Sequence, residues 1–252
     1  MKRLLTLLLS VLIISGVYGE SGHKELWMTA NNSYLQTLYQ EALDDYLKIE
    51  EMGFTSSRLC YNIGNTYFKL NNIPRSILYY ERALKLDPSD NDILNNLSLA
   101  KEYTLDRIEE VPDFIVKTWF RNLNYSISSD GWGYIAIFMA ALTAILLLSF
   151  RFSSRSGTRK ISFFAAMAAL LLTAGSFGFA WTQRVNSQKM NTAIVMRPVS
   201  TVRSSPDNSG NTLFILHEGT KLEILERIGD WARIELADGR QGWLASPDIE
   251  II

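Results

Sequence analysis

Cysteine and histidine are nearly absent from this chain. Among 252 residues there are one cysteine, Cys60, and two histidines, His23 and His217. An internal disulfide therefore cannot form, and no set of thiolates and imidazoles is present to hold a structural zinc ion. The sequence also lacks a Ser-His-Asp set and a phosphate-binding loop, and Cys60 falls inside a predicted packed helix. We therefore expect no metal site, no cofactor and no catalytic activity.

An excess of charge of one sign is also missing. The 25 Lys and Arg residues nearly balance the 26 Asp and Glu residues, which leaves a formal net charge of −1. Such a chain has no overall field that would recruit nucleic acid. We expect no nucleic-acid partner.

Residues 1–19 have the pattern of a secretory signal peptide. Lys2 and Arg3 precede an apolar run, and the small residues Val17 and Gly19 suit a cleavage site. Cleavage would leave Glu20 as the first mature residue. The alternative is an uncleaved N-terminal anchor, against which the shortness of the apolar run argues.

Two further runs, at 131–150 and 161–181, contain no charged residue. Each is long enough, at roughly 1.5 Å per residue, to cross a bilayer as a helix. The alternative is a buried helical hairpin of a soluble protein, but such helices normally carry a polar stripe. We predict a transmembrane hairpin.

The connection at 151–160 is rich in positive charge, which favours a cytoplasmic location for it. Both flanking domains then lie on the opposite side, as the predicted signal peptide also indicates. Trp132 and Trp181 stand at the outer ends of the hairpin, where aromatic rings favour the interface. The sequence predicts a multi-pass protein of the bacterial inner membrane with periplasmic N-terminal and C-terminal domains. The basic residues of the connection are Arg151, Arg155, Arg159 and Lys160.

Residues 57–90 span 34 positions and resemble a tetratricopeptide repeat. One repeat cannot bury its own apolar face, and the segments 34 residues before and after partly follow the same pattern. We predict an all-α helical module at 20–105 with about two and a half repeats. Cys60 is expected to be a small buried residue. The signature residues are Asn62, Ile63, Gly64, Tyr67, Ser76, Tyr80, Ala83 and Pro88.

The first helices of such repeats line a concave groove. Its mixture of rings and amides suits an extended peptide or a partner's helix. The alternative is a solvated groove on a short structural spacer. The candidate binding residues are Trp27, Asn31, Tyr34, Arg58, Tyr61, Asn65, Phe68, Lys69 and Asn95, with Tyr103 beside them.

The segment at 106–130 alternates large apolar residues with charged ones after Pro112. Two interpretations fit this juxtamembrane amphipathic segment equally well. It lies along the bilayer surface, or it packs under the helical module.

Residues 192–252 change to short β-prone runs separated by turn signals such as Asp238-Gly239. The order of Val202-Arg203-Ser204, Gly229-Asp230-Trp231 and Gly242-Trp243 resembles the bacterial SH3 family, which implies a small all-β barrel that binds cell-wall peptides or protein segments. Arg203, Asp230, Trp231 and Trp243 are the candidate ligand-binding residues. The alternative, which fits the sequence equally well, is that the two tryptophan rings only cap the barrel core. The predicted fold is thus a multidomain membrane protein with helical repeats, a two-helix hairpin and an SH3-like barrel.

The whole order of segments is similar to that of the tetratricopeptide proteins of the Bacteroides aerotolerance (Bat) operon. The most specific strings are Tyr-Asn-Ile-Gly-Asn at 61–65 and Tyr-Tyr-Glu-Arg-Ala at 79–83. The resemblance implies a membrane complex with von Willebrand A-type Bat proteins and a MoxR-type ATPase that supports stress tolerance. We expect a membrane-anchored adaptor for protein partners. The alternative is a cell-wall anchor in which the SH3-like domain binds peptidoglycan.

Overall fold

A computed structural model describes residues 22–108, 115–187 and 190–252. The predicted signal peptide at 1–19 lies outside these residues. The described chain forms two compact units. The first combines residues 22–84, 91–108 and 191–252, and the second contains residues 85–90, 115–187 and 190.

The helical module of the first unit consists, in the described residues, of five helices. Ser56 begins α3 by accepting a hydrogen bond from the Leu59 backbone N–H, which satisfies a donor of the first turn. Asn71, with a φ of 58°, makes the turn before α4. The helices are α1 (helical residues 22–35), α2 (Tyr39–Glu51), α3 (Ser57–Lys69), α4 (Ile73–Leu86) and α5 (Asn91–Glu102).

The close approach of α3 and α4 depends on a missing side chain. A Cβ placed on Gly64 would lie 2.7 Å from Cδ1 of Tyr80, a separation that real contacts do not tolerate. Ser76 and Ala83, two residues of the repeat signature, are fully buried on the facing helix. Cys60 is also buried, and burial raises the pKa of its thiol to about 11, so it is an inert core residue.

The C-terminal β domain is one seven-stranded antiparallel sheet in the order β3-β2-β6-β5-β4-β1-β7. The prediction of a closed barrel is wrong for the strands described here, since β3 and β7 remain the edges of the sheet. A side chain of α4 binds the edge of β7, since Nη2 of Arg82 donates a hydrogen bond to the carbonyl of Ile251 at 2.9 Å. The strands are β1 (Thr192–Val195), β2 (Val199–Arg203), β3 (Thr212–His217), β4 (Lys221–Ile228), β5 (Trp231–Glu235), β6 (Gln241–Ala245) and β7 (Ile249–Ile251).

The second unit contains α6 (Ile115–Tyr125), α7 (Ser129–Phe152) and α8 (Ser156–Ser187). The helices α7 and α8 extend beyond the apolar runs of the sequence, because Arg151, Arg159 and Lys160 are helical. The connection between them is therefore three residues long, whereas ten residues were predicted. The two helices pack together, and the hydroxyls of Ser149 and Ser162 lie 3.1 Å apart between them. Both are long and apolar enough to cross a membrane, and most of their side chains are exposed.

Candidate functional site

A hydrogen-bonded trio of side chains occurs in the first repeat of the helical module. The hydroxyl of Tyr46 donates to Oδ1 of Asn31 at 2.6 Å, and Nδ2 of Asn62 donates to the same oxygen at 3.2 Å. Burial raises the pKa of Tyr46 to about 12. The trio ties α1, α2 and α3 together.

The same trio recurs in the second repeat, 34 residues later. The hydroxyl of Tyr80 donates to Oδ1 of Asn65 at 2.7 Å, and Nδ2 of Asn96 donates to that oxygen at 2.9 Å. The amide of Asn96 also donates to the hydroxyl of Tyr61 at 2.9 Å. Three of the predicted groove residues, Asn31, Asn65 and Tyr61, therefore hold the repeats together.

The other predicted groove residues divide into packed rings and exposed polar groups. The ring of Trp27 packs edge-on against Tyr46, with centroids 5.7 Å apart, and that of Phe68 against Tyr103 at 5.5 Å. The ring of Tyr34 contacts Tyr39 at 5.3 Å, and burial is the main cause that raises the pKa of Tyr34. The exposed polar members, which a partner can reach, are Arg58, Lys69 and Asn95, and the ring of Tyr103 is exposed as well.

A cavity of about 580 Å³ opens beside Trp27. It is largely apolar, and its walls come from α1, the end of α2 and the turn before α3. The ring of Phe54 stacks on that of His23 at a centroid distance of 4.0 Å. Sequence reasoning missed Phe54 and Met28, which lie outside the repeat signature. The lining residues are His23, Lys24, Trp27, Met28, Ile49, Phe54, Thr55, Ser56 and Leu59.

A buried carboxylate joins the helical module to the β domain. Glu81 of α4 is 6% exposed, and its Oε2 accepts from Nζ of Lys221 at 2.6 Å, while Nζ of Lys101 lies 3.1 Å from Oε1. Burial alone would raise the pKa of Glu81, but the two ammonium groups lower it below its ordinary value. Glu81 is therefore charged and compensated from both domains.

A second carboxylate lies at the end of the helical module. Oδ2 of Asp106 accepts from the backbone N–H of His217 and from the hydroxyl of Thr220, both at 2.7 Å, and Oδ1 lies 2.8 Å from Nδ1 of His217. Burial alone would raise the pKa of Asp106, but these hydrogen bonds lower it. Asp106, which the sequence assigned to the juxtamembrane segment, thus anchors the turn between β3 and β4.

Apolar contacts also join the helical module to the β domain. Ile194 of β1 is fully buried in the hydrophobic core of the helical module. A Cβ on Gly219 would lie 2.7 Å from Cγ2 of Thr104 and 3.1 Å from Cδ1 of Ile77, so the turn of the β domain closely approaches the helices. The two predicted modules are parts of one structural unit.

The outer face of the β domain carries alternating rings and guanidinium groups. Trp243 of β6 pairs with Arg203 on one side and Arg233 on the other. Paired side chains lie on the same face of a sheet, and the adjacent Ala232 and Leu244 point into the core. The rings of Trp231 and Trp243 are therefore on the outer face, not in the core.

Two of the predicted charged residues make hydrogen bonds within the β domain. Nη1 of Arg203 donates to the carbonyls of Asn208 and Gly210, each at 3.0 Å, and so orders its own loop. Asp230 is exposed, and its carbonyl accepts from the backbone N–H of Ser246 at 2.8 Å. Arg233, which the sequence did not suggest, is a second charged neighbour of Trp243.

Comparisons with known proteins agree with both halves of this unit. Residues 57–90 match the family model of the tetratricopeptide repeat, and residues 199–250 match that of the bacterial SH3 domain. The chain is also 32% identical over 75 residues to the photosystem I assembly protein Ycf3 of Rippkaea orientalis, a stretch that covers 29% of this chain and 43% of that protein. The chain therefore spans less than half of that relative. Both matched domains are types that suggest protein–protein interaction.

Proposed function

We propose that this chain is a membrane-anchored adaptor of the bacterial envelope that binds protein partners and catalyses no reaction. One observation carries the proposal. The helical module and the β domain pack into one unit, although α7 and α8 lie between them in the sequence. Two crossings of a bilayer return the chain to its starting side, as this packing requires. The basic connection then faces the cytoplasm and the packed unit faces the periplasm.

The partner surface in this proposal is the exposed part of the first-helix face. Arg58 and Lys69 of α3 and Asn95 of α5 are exposed there. Anchoring raises the effective concentration of a membrane-bound partner, so weak contacts suffice. The proposal extends to von Willebrand A-type Bat proteins and a MoxR-type ATPase as partners in stress tolerance. The strings at 61–65 and 79–83 support that part.

Topology and partner binding are tested separately. Reporters fused after Ile252 and inserted near Ser89 should both be active only outside the cytoplasm, and opposite locations would refute the hairpin. Crosslinking to von Willebrand A-type proteins in native membranes should weaken with Arg58→Glu plus Lys69→Glu. It should persist with Glu41→Lys, which changes an exposed charge on the second-helix face. Equal crosslinking by all variants would refute the groove.

A second function is favoured by the outer face of the β domain. Trp243 between Arg203 and Arg233 offers a ring with flanking cations, which suits the acidic peptides of a cell wall. In this alternative the protein is a wall anchor. Sedimentation with purified sacculi should be lost on Trp243→Ala and kept on Trp119→Ala, which removes an exposed tryptophan of α6. Binding that survives Trp243→Ala would count against the alternative.

A further inference from the structure

The helix α6 has a large apolar face that no described residue of its own unit covers. None of its residues is buried, and its large apolar side chains are between 36% and 88% exposed. At 3.6 residues per turn these side chains fall within an arc of about 140°. Lys117 and Arg121 lie on the opposite side. The residues of the arc are Ile115, Val116, Trp119, Phe120 and Leu123.

The C-terminal end of α6 is held by a group of hydrogen bonds from α7 and α8. The carbonyl of Asn124 accepts from Nε1 of Trp132 at 2.8 Å and from Nε2 of Gln183. Nδ2 of Asn124 donates to Oγ1 of Thr182 at 3.2 Å, and Nε2 of Gln183 also reaches the carbonyl of Ile127 at 2.9 Å. We call this group the Asn124 clamp.

Gln183 is a buried amide two residues beyond the second apolar run. It is 4% exposed in a helix long and apolar enough to span a membrane. A buried amide is costly unless it is hydrogen-bonded. Its bonds to Asn124 and Ile127 fix the end of α6, and only three residues separate α6 from α7. The clamp therefore sets where the apolar face of α6 points.

We propose that α6 lies in the membrane interface, with its apolar arc in the boundary between headgroups and acyl chains and the Asn124 clamp holding it there. The inference rests on the proposed spanning of α7 and α8. A lipid surface is the occupant because only three residues join α6 to α7, the face of α6 combines Trp and Phe with aliphatic residues, and its opposite side is cationic. Packing of this face under the helical module is the alternative outcome of the test below.

The location of α6 is measured on the full chain in vesicles of phosphatidylcholine and phosphatidylglycerol. Single cysteines are introduced into a Cys60→Ala background at Val116, Phe120, Arg121 and, in α7, Ala140, and are labelled with a nitroxide. Collision with oxygen reports acyl chains, and collision with a soluble nickel chelate reports water. The ratio of oxygen to nickel collision rates should be several-fold higher at Val116 and Phe120 than at Arg121.

The outcomes separate this inference from the proposed function. Nickel access at Ala140 would refute the membrane spans themselves. If oxygen reaches Ala140 but the nickel chelate reaches Phe120, the helices span the membrane and α6 does not lie in the interface. If neither reagent reaches Phe120, protein covers this residue, which would also refute the interfacial helix. Gln183→Leu should lower the ratio at Phe120 several-fold and leave Ala140 unchanged. Thr173→Val, which removes an α8 hydroxyl outside the clamp, is the control, and equal effects of the two variants would refute the clamp.

Discussion

Replacing Gly219 by alanine tests the contact between the β domain and the helical module. Gly219 and Gly239 both have a φ of +86°, so alanine at either position costs about 1–2 kcal/mol of backbone strain. A Cβ at Gly239 meets nothing within 4 Å, whereas one at Gly219 lies 2.7 Å from Thr104 and 3.1 Å from Ile77. Overpacking of this kind costs about 1–3 kcal/mol more. Gly219→Ala should therefore lower the free energy of unfolding by that additional amount relative to Gly239→Ala.

The assay is urea-dependent hydrogen exchange of the full chain in detergent, read by mass spectrometry. In Gly219→Ala, exchange should accelerate in α4 and β1 together, because the two domains lose a shared contact. In Gly239→Ala, it should accelerate around the turn between β5 and β6. Equal losses of stability in the two variants, or faster exchange in β1 with α4 unaffected, would contradict a packed interface.

Three further predictions concern individual residues. The pKa of Asp106 is lowered in the folded protein, so its carboxylate stabilises the fold above the unfolded pKa of about 3.9, and this stabilisation is lost as pH falls through the folded pKa. In Asp106→Asn, the free energy of unfolding in urea should therefore depend less on pH below about 4. An unchanged pH profile would contradict this. Gly64→Ala should lower the free energy of unfolding in urea by about 1–3 kcal/mol because its Cβ meets the ring of Tyr80, and an unchanged value would contradict the close packing of α3 on α4. Cys60, buried with a raised pKa, should react with a maleimide only in denaturant, and rapid labelling of the native chain would show that the helices open.

The helical repeats were predictable because their signal is periodic and local. Small residues such as Gly64 and a ring such as Tyr80 recur at fixed spacing, and they determine how adjacent helices pack. Asn31 and Asn65 are also 34 residues apart, and each accepts a hydrogen bond from a tyrosine of the next helix. Their position on a first helix of a repeat is compatible with ligand binding as well as with this packing role, so position alone did not reveal it. Comparing Tyr46 with Tyr80 would have revealed it.

The interface between the domains could not be predicted. Glu81 and Lys221 are 140 positions apart, and both are residue types that usually face solvent. The open sheet was missed for a related reason. The three residues of β7 are too short a run to identify as an edge, and the group that meets that edge, Arg82, belongs to a distant helix.

The placement of Ile194 has a consequence for biogenesis. Its side chain completes the core of helices that are synthesised well before it, the last of them ending at Glu102. The pairing of Lys221 with Glu81 across 140 positions is a second contact of this kind. Long-range closure of this kind slows folding. The repeats emerge first from the ribosome, yet they acquire their full interior only after the tail has followed. A chain truncated before β1 would leave apolar helix surface open to quality-control proteases.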